Sequence, residues 1–267
     1  MCQFCTEHGE GRKWYENASL YSEAALMRVH TREGFVNYLR DFRRGMEETI
    51  PRMGRWRSRL PRIYDLIAAP LVTRHMKKTH FGQVLTLEDV ATVLKGVDSV
   101  VRLPCVCRKV TLGVERRYCF GLGFHIQYAL REAPDFSDFE SVDKDDALAL
   151  MRDLDDDGQV HSVWTFNTPF IGAICNCDRD CMAYRFEKTL SIGKIMWKGE
   201  QVAFSDPMLC EGCGRCLERC LFGALSIDTR DEKCLVNPRE CYGCGLCRGA
   251  CAMGAITLHP RPAGIAY

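Results

Sequence analysis

The feature that most restricts this chain is a repeat near its C-terminus. Cys210-EGCGRCLERCLFGALSI and Cys241-YGCGLCRGACAMGAITL align at a fixed offset of 31 residues. Both read C-x-G-C-G-x-C-x3-C-x2-G-A, followed by an alternating apolar pair of β type. Each copy is preceded by an Xaa-Pro dipeptide, Asp206-Pro207 and Asn237-Pro238, which favours an extended or turn approach. One pair of units this short predicts a small pseudo-two-fold domain.

The spacing fits cubane chemistry. Thiolates must converge on such a cluster from several directions, and C-x2-C-x2-C wraps a tight loop around three corners. Gly212, Gly214, Gly243 and Gly245 relieve the steric limits on that loop. The fourth cysteine is read as opening a short helix that points away, and is therefore expected to ligate the other cluster. This assigns Cys210, Cys213, Cys216 and Cys251 to one [4Fe–4S] cluster, and Cys241, Cys244, Cys247 and Cys220 to a second. Two structural zinc knuckles are the competing reading, but four-Cys zinc sites usually pair two C-x2-C units across a longer gap.

On these motifs the stretch from Ala203 to Pro260 resembles the bacterial-type ferredoxins with two [4Fe–4S] clusters. The family usually places Pro after the fourth cysteine, whereas Leu221 and Ala252 stand here. The ligand set is unaffected; the local backbone and the cluster potential are where that departure acts.

The whole chain holds 17 Cys in 267 residues, and no apolar h-region opens it. Such a count without a secretion signal predicts metal ligation in a reducing cytoplasm rather than disulfides. No run of 18 apolar residues exists; the stretch Leu66 to Val72 is short and broken by Pro70, so no transmembrane helix is expected. A net charge of +1 gives no polyelectrolyte character, and nucleic acid is not an expected partner.

Six further cysteines lie mid-chain, as Cys105, Cys107 and Cys119 and then Cys175, Cys177 and Cys181. SVVRLPCVCR, from Ser99 to Arg108, reads as a strand whose Cys105 and Cys107 share one face. Cys119 is placed in a turn. Cys175 and Cys177 repeat the i, i+2 spacing, and a helix beginning near Asn176 would put Cys177 and Cys181 on one face. C-x-C-R, a later Cys and ICNC…C ahead of a two-cluster domain resemble a little-characterised group of longer ferredoxin-like proteins, from about Thr79 to Pro260. The resemblance implies a third metal centre and no particular reaction. A third iron–sulfur cluster is expected, with structural zinc as the alternative and inert packed thiols as the plainest account. Which of the six cysteines would bind is not readable from spacing. Cys2, Cys5 and His8 form a C-x2-C-x2-H group that is a further candidate metal site.

Asp153-L-Asp155-D-Asp157-Gly158 imitates the start of a calcium loop, but Trp164 stands where a bidentate Glu is required. It reads instead as the end of a helix from Asp143 to Leu154, before a strand from Val160 to Phe166. Thr86 and Asp89 form a variant capping box, and helices are expected near 19–48, 86–96, 121–131 and 143–154. From Arg28 to Lys78 there are 13 Lys+Arg against 5 Asp+Glu, and from Arg131 to Asp157 there are 11 acids against 3 bases. The basic arm is expected to face solvent or to dock a protein partner, with peripheral membrane contact less favoured. Pro51, Pro61 and Pro70 prevent it from being one long helix.

The resulting expectation is an α+β chain with a helical basic region at 1–80, a Cys-containing α+β domain at 81–200 and a two-cluster ferredoxin-like domain at 201–267. No G-x-G-x-x-G fingerprint is present. The expected function is single-electron transfer to or from a partner oxidoreductase that supplies the substrate chemistry. One alternative makes the central cysteines the active site of a reductase. Another makes the chain a scaffold with structural zinc.

Overall fold

The computed structural model describes residues 13–262, so Cys2, Cys5 and His8 lie outside the described residues. The chain is mixed helix and sheet. Seven strands form one sheet: β1 (Gly82–Val84), β2 (Val100–Leu103), β3 (Cys119–Leu122), β4 (Glu140–Val142), β5 (Val160–Thr165), β6 (Ile171–Cys177) and β7 (Met196–Trp197). Their order is β4-β2-β3-β6-β5-β1-β7. All neighbours are antiparallel except β1 and β7.

Both faces of this sheet are covered, as alternation along its strands requires. Val100, Phe120, Leu122 and Ile174 point into a core shared with the Leu87–Gly96 and Lys144–Asp156 helices and with Tyr15 and Leu20. Val101, Leu103 and Phe170 face the opposite core, which holds Leu26, Phe35 and Leu39 of the Glu23–Val29 and Arg32–Arg44 helices. Side chains from before and after residue 80 therefore share both cores.

Local signals explain most helix limits. The Thr86 hydroxyl accepts from the Asp89 N–H and the Asp89 carboxylate accepts from the Thr86 N–H, the reciprocal box expected there. The single helix expected over 19–48 is instead three pieces. Ser22 caps Glu23–Val29 and Thr31 caps Arg32–Arg44, because each hydroxyl satisfies an N–H that a continuous helix would have used differently. The helix expected over 121–131 is shortened to Gln127–Glu132, because Cys119–Leu122 pairs as β3 and Gly123 turns the chain at φ 94°. Pro61 opens a helix, where a missing N–H costs nothing, whereas Pro51 and Pro70 each follow a π-helical turn inside a continuous helical run, 32–59 and 61–79, and, contrary to expectation, do not break it.

The two charge runs partly meet. Arg43 lies 3.3 Å from Asp135, and Arg40 donates to the Glu132 carbonyl at 3.0 Å. Further along the arm, Trp56, Leu60, Ile63, Leu66, Ile67 and Leu71 are exposed among arginines. Among the described residues no helix is long and apolar enough to cross a membrane.

The C-terminal unit follows directly on β7. Strand β8 (Gln201–Ser205) pairs with β11 (Ile256–Pro260), and β9 (Leu225–Ile227) pairs with β10 (Cys234–Val236), so each sequence repeat ends in one strand of an antiparallel pair. Tyr242 and Leu246 of this unit pack in the same core as Cys177 of β6 and Cys181 and Phe186 of the segment that follows it.

Candidate metal centres

The register of β3 and β6 builds the central site. Cys119 stands directly opposite Cys175, and Cys177 lies two residues further along β6, so these three thiols occupy one face of the sheet. The other three approach from flanking turns. Cys105 precedes the Val106–Leu112 helix, Cys107 lies inside it, and Cys181 precedes the short Met182–Tyr184 helix.

Three local expectations are corrected here. Cys105 and Cys107 are not a strand pair: Pro104 cannot donate to the ladder, β2 stops at Leu103, and the chain turns into a helix that Gly113 terminates at φ 68°. Nor does a helix begin near Asn176. Strand β6 runs through Cys177, and Cys181 returns after a turn in which Asp178 accepts from the N–H groups of Asp180 and Cys181. Cys119 begins β3 rather than sitting in a turn.

The six thiols nevertheless converge as one string. Sγ of Cys175 lies 3.6 Å from Cys119, Cys119 lies 3.6 Å from Cys105, and Cys177 lies 2.9 Å from Cys181. Cys107 joins the two halves by hydrogen bonds to Cys105 and Cys181. Hydrogen bonds from Cys107 and Cys119, aided by Arg108, hold the Cys105 thiol far below its ordinary range. Hydrogen bonds from Cys107 and Cys177 do the same for Cys181. Their donors Cys107, Cys119 and Cys177 are pushed upward by giving those bonds and by burial. The string thus favours anionic sulfur, the form that binds metal, at Cys105 and Cys181, and protonated sulfur at Cys107, Cys119 and Cys177.

Arg108 balances that charge. It is only 2 % exposed. Its guanidinium reaches Cys105 Sγ at 3.3 Å, the Asn176 carbonyl at 3.2 Å and Gln159 Oε1 at 2.7 Å. It also pairs with Asp178 at 2.7 Å and lies over the Tyr118 ring at 4.4 Å. Burial opposes the charge of Arg108, while the negative Cys105 and Asp178 stabilise it and prevail.

In the C-terminal unit, Cys210, Cys213 and Cys216 surround a cavity of about 220 Å3 together with Cys251 of the other repeat. Cys241, Cys244 and Cys247 line a second, smaller cavity with Cys220. The helix expected after each fourth cysteine lies before it instead. Arg215–Arg219 ends at Cys220 and Leu246–Gly249 ends just before Cys251, so the helix carries the fourth thiol away from its own loop. Gly212 at φ 69° and Gly243 at φ 73° sit against the carbonyl oxygens of Glu232 and Gln201, which a Cβ would overlap. Backbone N–H groups aim at the thiols, from Ala203 to Cys241 at 3.4 Å and from Ala224 to Cys220 at 3.3 Å. Thiolate donors, a cavity between them and N–H groups directed at sulfur are the chemistry an iron–sulfur cluster needs. Where the ferredoxin pattern has proline, Leu221 packs in the core shared with the large sheet, and its carbonyl accepts from the Tyr184 hydroxyl at 3.0 Å.

Two contributors had little or no signal in the sequence. Cys234, isolated between the repeats, donates its N–H to Cys210 Sγ at 3.3 Å and brings its own Sγ to 3.6 Å from Cys216. Arg108 was visible only as the last letter of C-x-C-R, with nothing to reveal its burial. Among the described residues, no three His, Cys, Asp or Glu side chains converge closely enough to hold a single metal ion, and all fifteen cysteines there are free.

Comparison with known proteins agrees for the C-terminal unit. No match is found among curated proteins or among solved structures. The family model for a 4Fe-4S dicluster domain matches residues 209–255, which makes the end of this chain ferredoxin-like and supports iron–sulfur cluster binding in an electron-transfer role.

Proposed function

We propose that the chain is an electron-transfer protein with three iron–sulfur centres that exchanges single electrons with a partner oxidoreductase in the cytoplasm. The carrying observation is that each C-terminal cavity is lined by three cysteines of one repeat and one of the other. In this reading Cys210, Cys213, Cys216 and Cys251 hold one [4Fe–4S] cluster, and Cys241, Cys244, Cys247 and Cys220 hold the second. The central string, drawn from Cys105, Cys107, Cys119, Cys175, Cys177 and Cys181, holds a third. The clusters supply reversible one-electron chemistry when bound.

The residues of the chain do the rest. Cys213 is exposed at the outer cavity, where a partner can approach. Cys244 shares one apolar core with Cys107, Cys175, Cys177 and Cys181, so the inner C-terminal site and the central string are joined through packed protein that excludes water. Arg108 offsets negative charge at the central string. Cys244 thus links the C-terminal unit to the central string. The regions 1–80, 81–200 and 201–267 correspond in this account to a helical cover, the central domain and the two-cluster domain.

The test is anaerobic purification of the full chain with iron, sulfide and zinc counted. About twelve irons per chain are expected, four for each of three cubanes. About eight irons with no zinc removes the third centre. About eight irons with one or more zincs favours the structural-zinc account.

A further inference from the structure

The central thiols form one wall of a cavity of about 720 Å3. The larger of the two C-terminal cavities, with its four assigned cysteines, has about 220 Å3. The central cavity is thus more than three times the size of that site, and falls within the roughly 300–1,000 Å3 of small-molecule sites. The remaining walls are apolar and aromatic, with Phe42, Phe136, Trp164 and Phe166 among them. Phe42 and Phe166 stand edge-on to the His80 ring at 5.1 and 5.2 Å, leaving a ring-lined chamber.

The chamber opens to solvent. Asp41, Thr49, Leu71 and His75 line it and are exposed, marking a mouth between the Arg32–Arg44 and Ala69–Thr79 helices. Gly45, Met46 and Thr49 in its wall belong to the π-helical turn Gly45–Thr49, a wide turn often found beside functional sites. No Lys or Arg is among the described lining residues, so nothing fixed in the wall would neutralise a carboxylate or a phosphate. His80 gives one ring nitrogen to the Thr165 carbonyl at 2.7 Å and burial keeps it uncharged.

We propose that this cavity binds a neutral, largely apolar ring compound and holds it against the central thiol wall, so that the central centre faces a small-molecule substrate. The proposal rests on the central-centre reading above and gives that centre a ligand class. Aromatic walls select rings by area and by edge-to-face contact. The missing cation selects against acids.

The experiment uses the full chain, purified anaerobically and counted for iron first, with 2-naphthol as the neutral probe and 2-naphthoate as its acidic counterpart, both titrated by calorimetry. One 2-naphthol per chain is expected, with 2-naphthoate at least about tenfold weaker. Thr49→Trp and Leu71→Trp narrow the mouth from exposed positions and should each weaken 2-naphthol about tenfold or more. Leu66→Trp, exposed on the same arm but outside the lining, should leave binding unchanged. Absence of 2-naphthol binding to a chain with about twelve irons overturns the proposal and leaves the three-cluster reading intact. Equal binding by all three tryptophan variants also overturns it. Mouth-sensitive binding by a chain with about eight irons upholds the cavity and overturns the third cluster instead.

Discussion

Replacing Arg108 by Met removes one buried cation and keeps a side chain of similar length. The guanidinium is 2 % exposed and contacts Asp178, Gln159, the Asn176 carbonyl and Cys105 at 2.7 to 3.3 Å. Breaking a buried ion pair by deleting one partner costs about 3–5 kcal/mol, since the remaining charge is stranded. Asp178 is 26 % exposed, so water recovers part of that loss and the lower end, about 3 kcal/mol, applies. For a chain of this size each kcal/mol lowers Tm by roughly 2–4 °C, giving a fall of about 6–12 °C. Lys in place of Arg keeps the charge but cannot satisfy Asp178, Gln159 and Cys105 together, and should lose about half as much. The assay is thermal unfolding followed by circular dichroism, under anaerobic conditions. A fall below about 2 °C for Arg108→Met would refute the argument that this cation is a structural counter-charge.

Other consequences are as direct. Cys251→Ala and Cys213→Ala should each remove about four irons, and the double variant no more than either single, whereas Cys251→Ala with Cys244→Ala should remove about eight; additive loss from the first pair contradicts crossed ligation. Gly212→Ala places a methyl against the Glu232 carbonyl at a positive φ, and should cost the outer cluster about four irons while Gly214→Ala, with nothing near its Cβ, costs fewer. Thr86→Ala removes the helix cap of Leu87–Gly96 and should destabilise by about 1 kcal/mol in urea titration. His80 is lowered by burial from 6.5 to about 4, so the unfolded chain takes up this proton first and stability falls as pH drops below 6.5. Between pH 7.5 and 5.5 that amounts to about 1.3 kcal/mol, and His80→Asn should remove this part of the slope; an unchanged slope in the variant contradicts the assignment.

What could be read from the sequence was local. Thr86 and Asp89 satisfy each other within one turn, so their box needs no tertiary partner to be visible. The C-terminal repeat shows its cysteine spacing and its Gly212 and Gly243 directly, whereas the helix was expected on the other side of the fourth cysteine and the contacts of Cys234 with Cys210 and Cys216 had no signal. The central site was legible as a grouping and not as a geometry. Its convergence depends on Cys119 standing opposite Cys175, a pairing set by the core residues Phe120 and Ile174 rather than by anything near the cysteines. Pro104 was visible, but its effect there is to release the chain into a helix, which needs Gly113 nine residues later. The cavity had no signature at all. Tyr38, Phe42, Phe136 and Phe166 look like ordinary core positions in their own segments, and only the fold gathers them around one space.

The central claim is that three redox centres operate in one chain. Spin quantification by electron paramagnetic resonance of the dithionite-reduced full-length protein tests it most directly, beside the Cys107→Ser, Cys177→Ser double variant. The account predicts about three electron equivalents per native chain and about two in the variant, one for each remaining [4Fe–4S] cluster. About two in both proteins would contradict it.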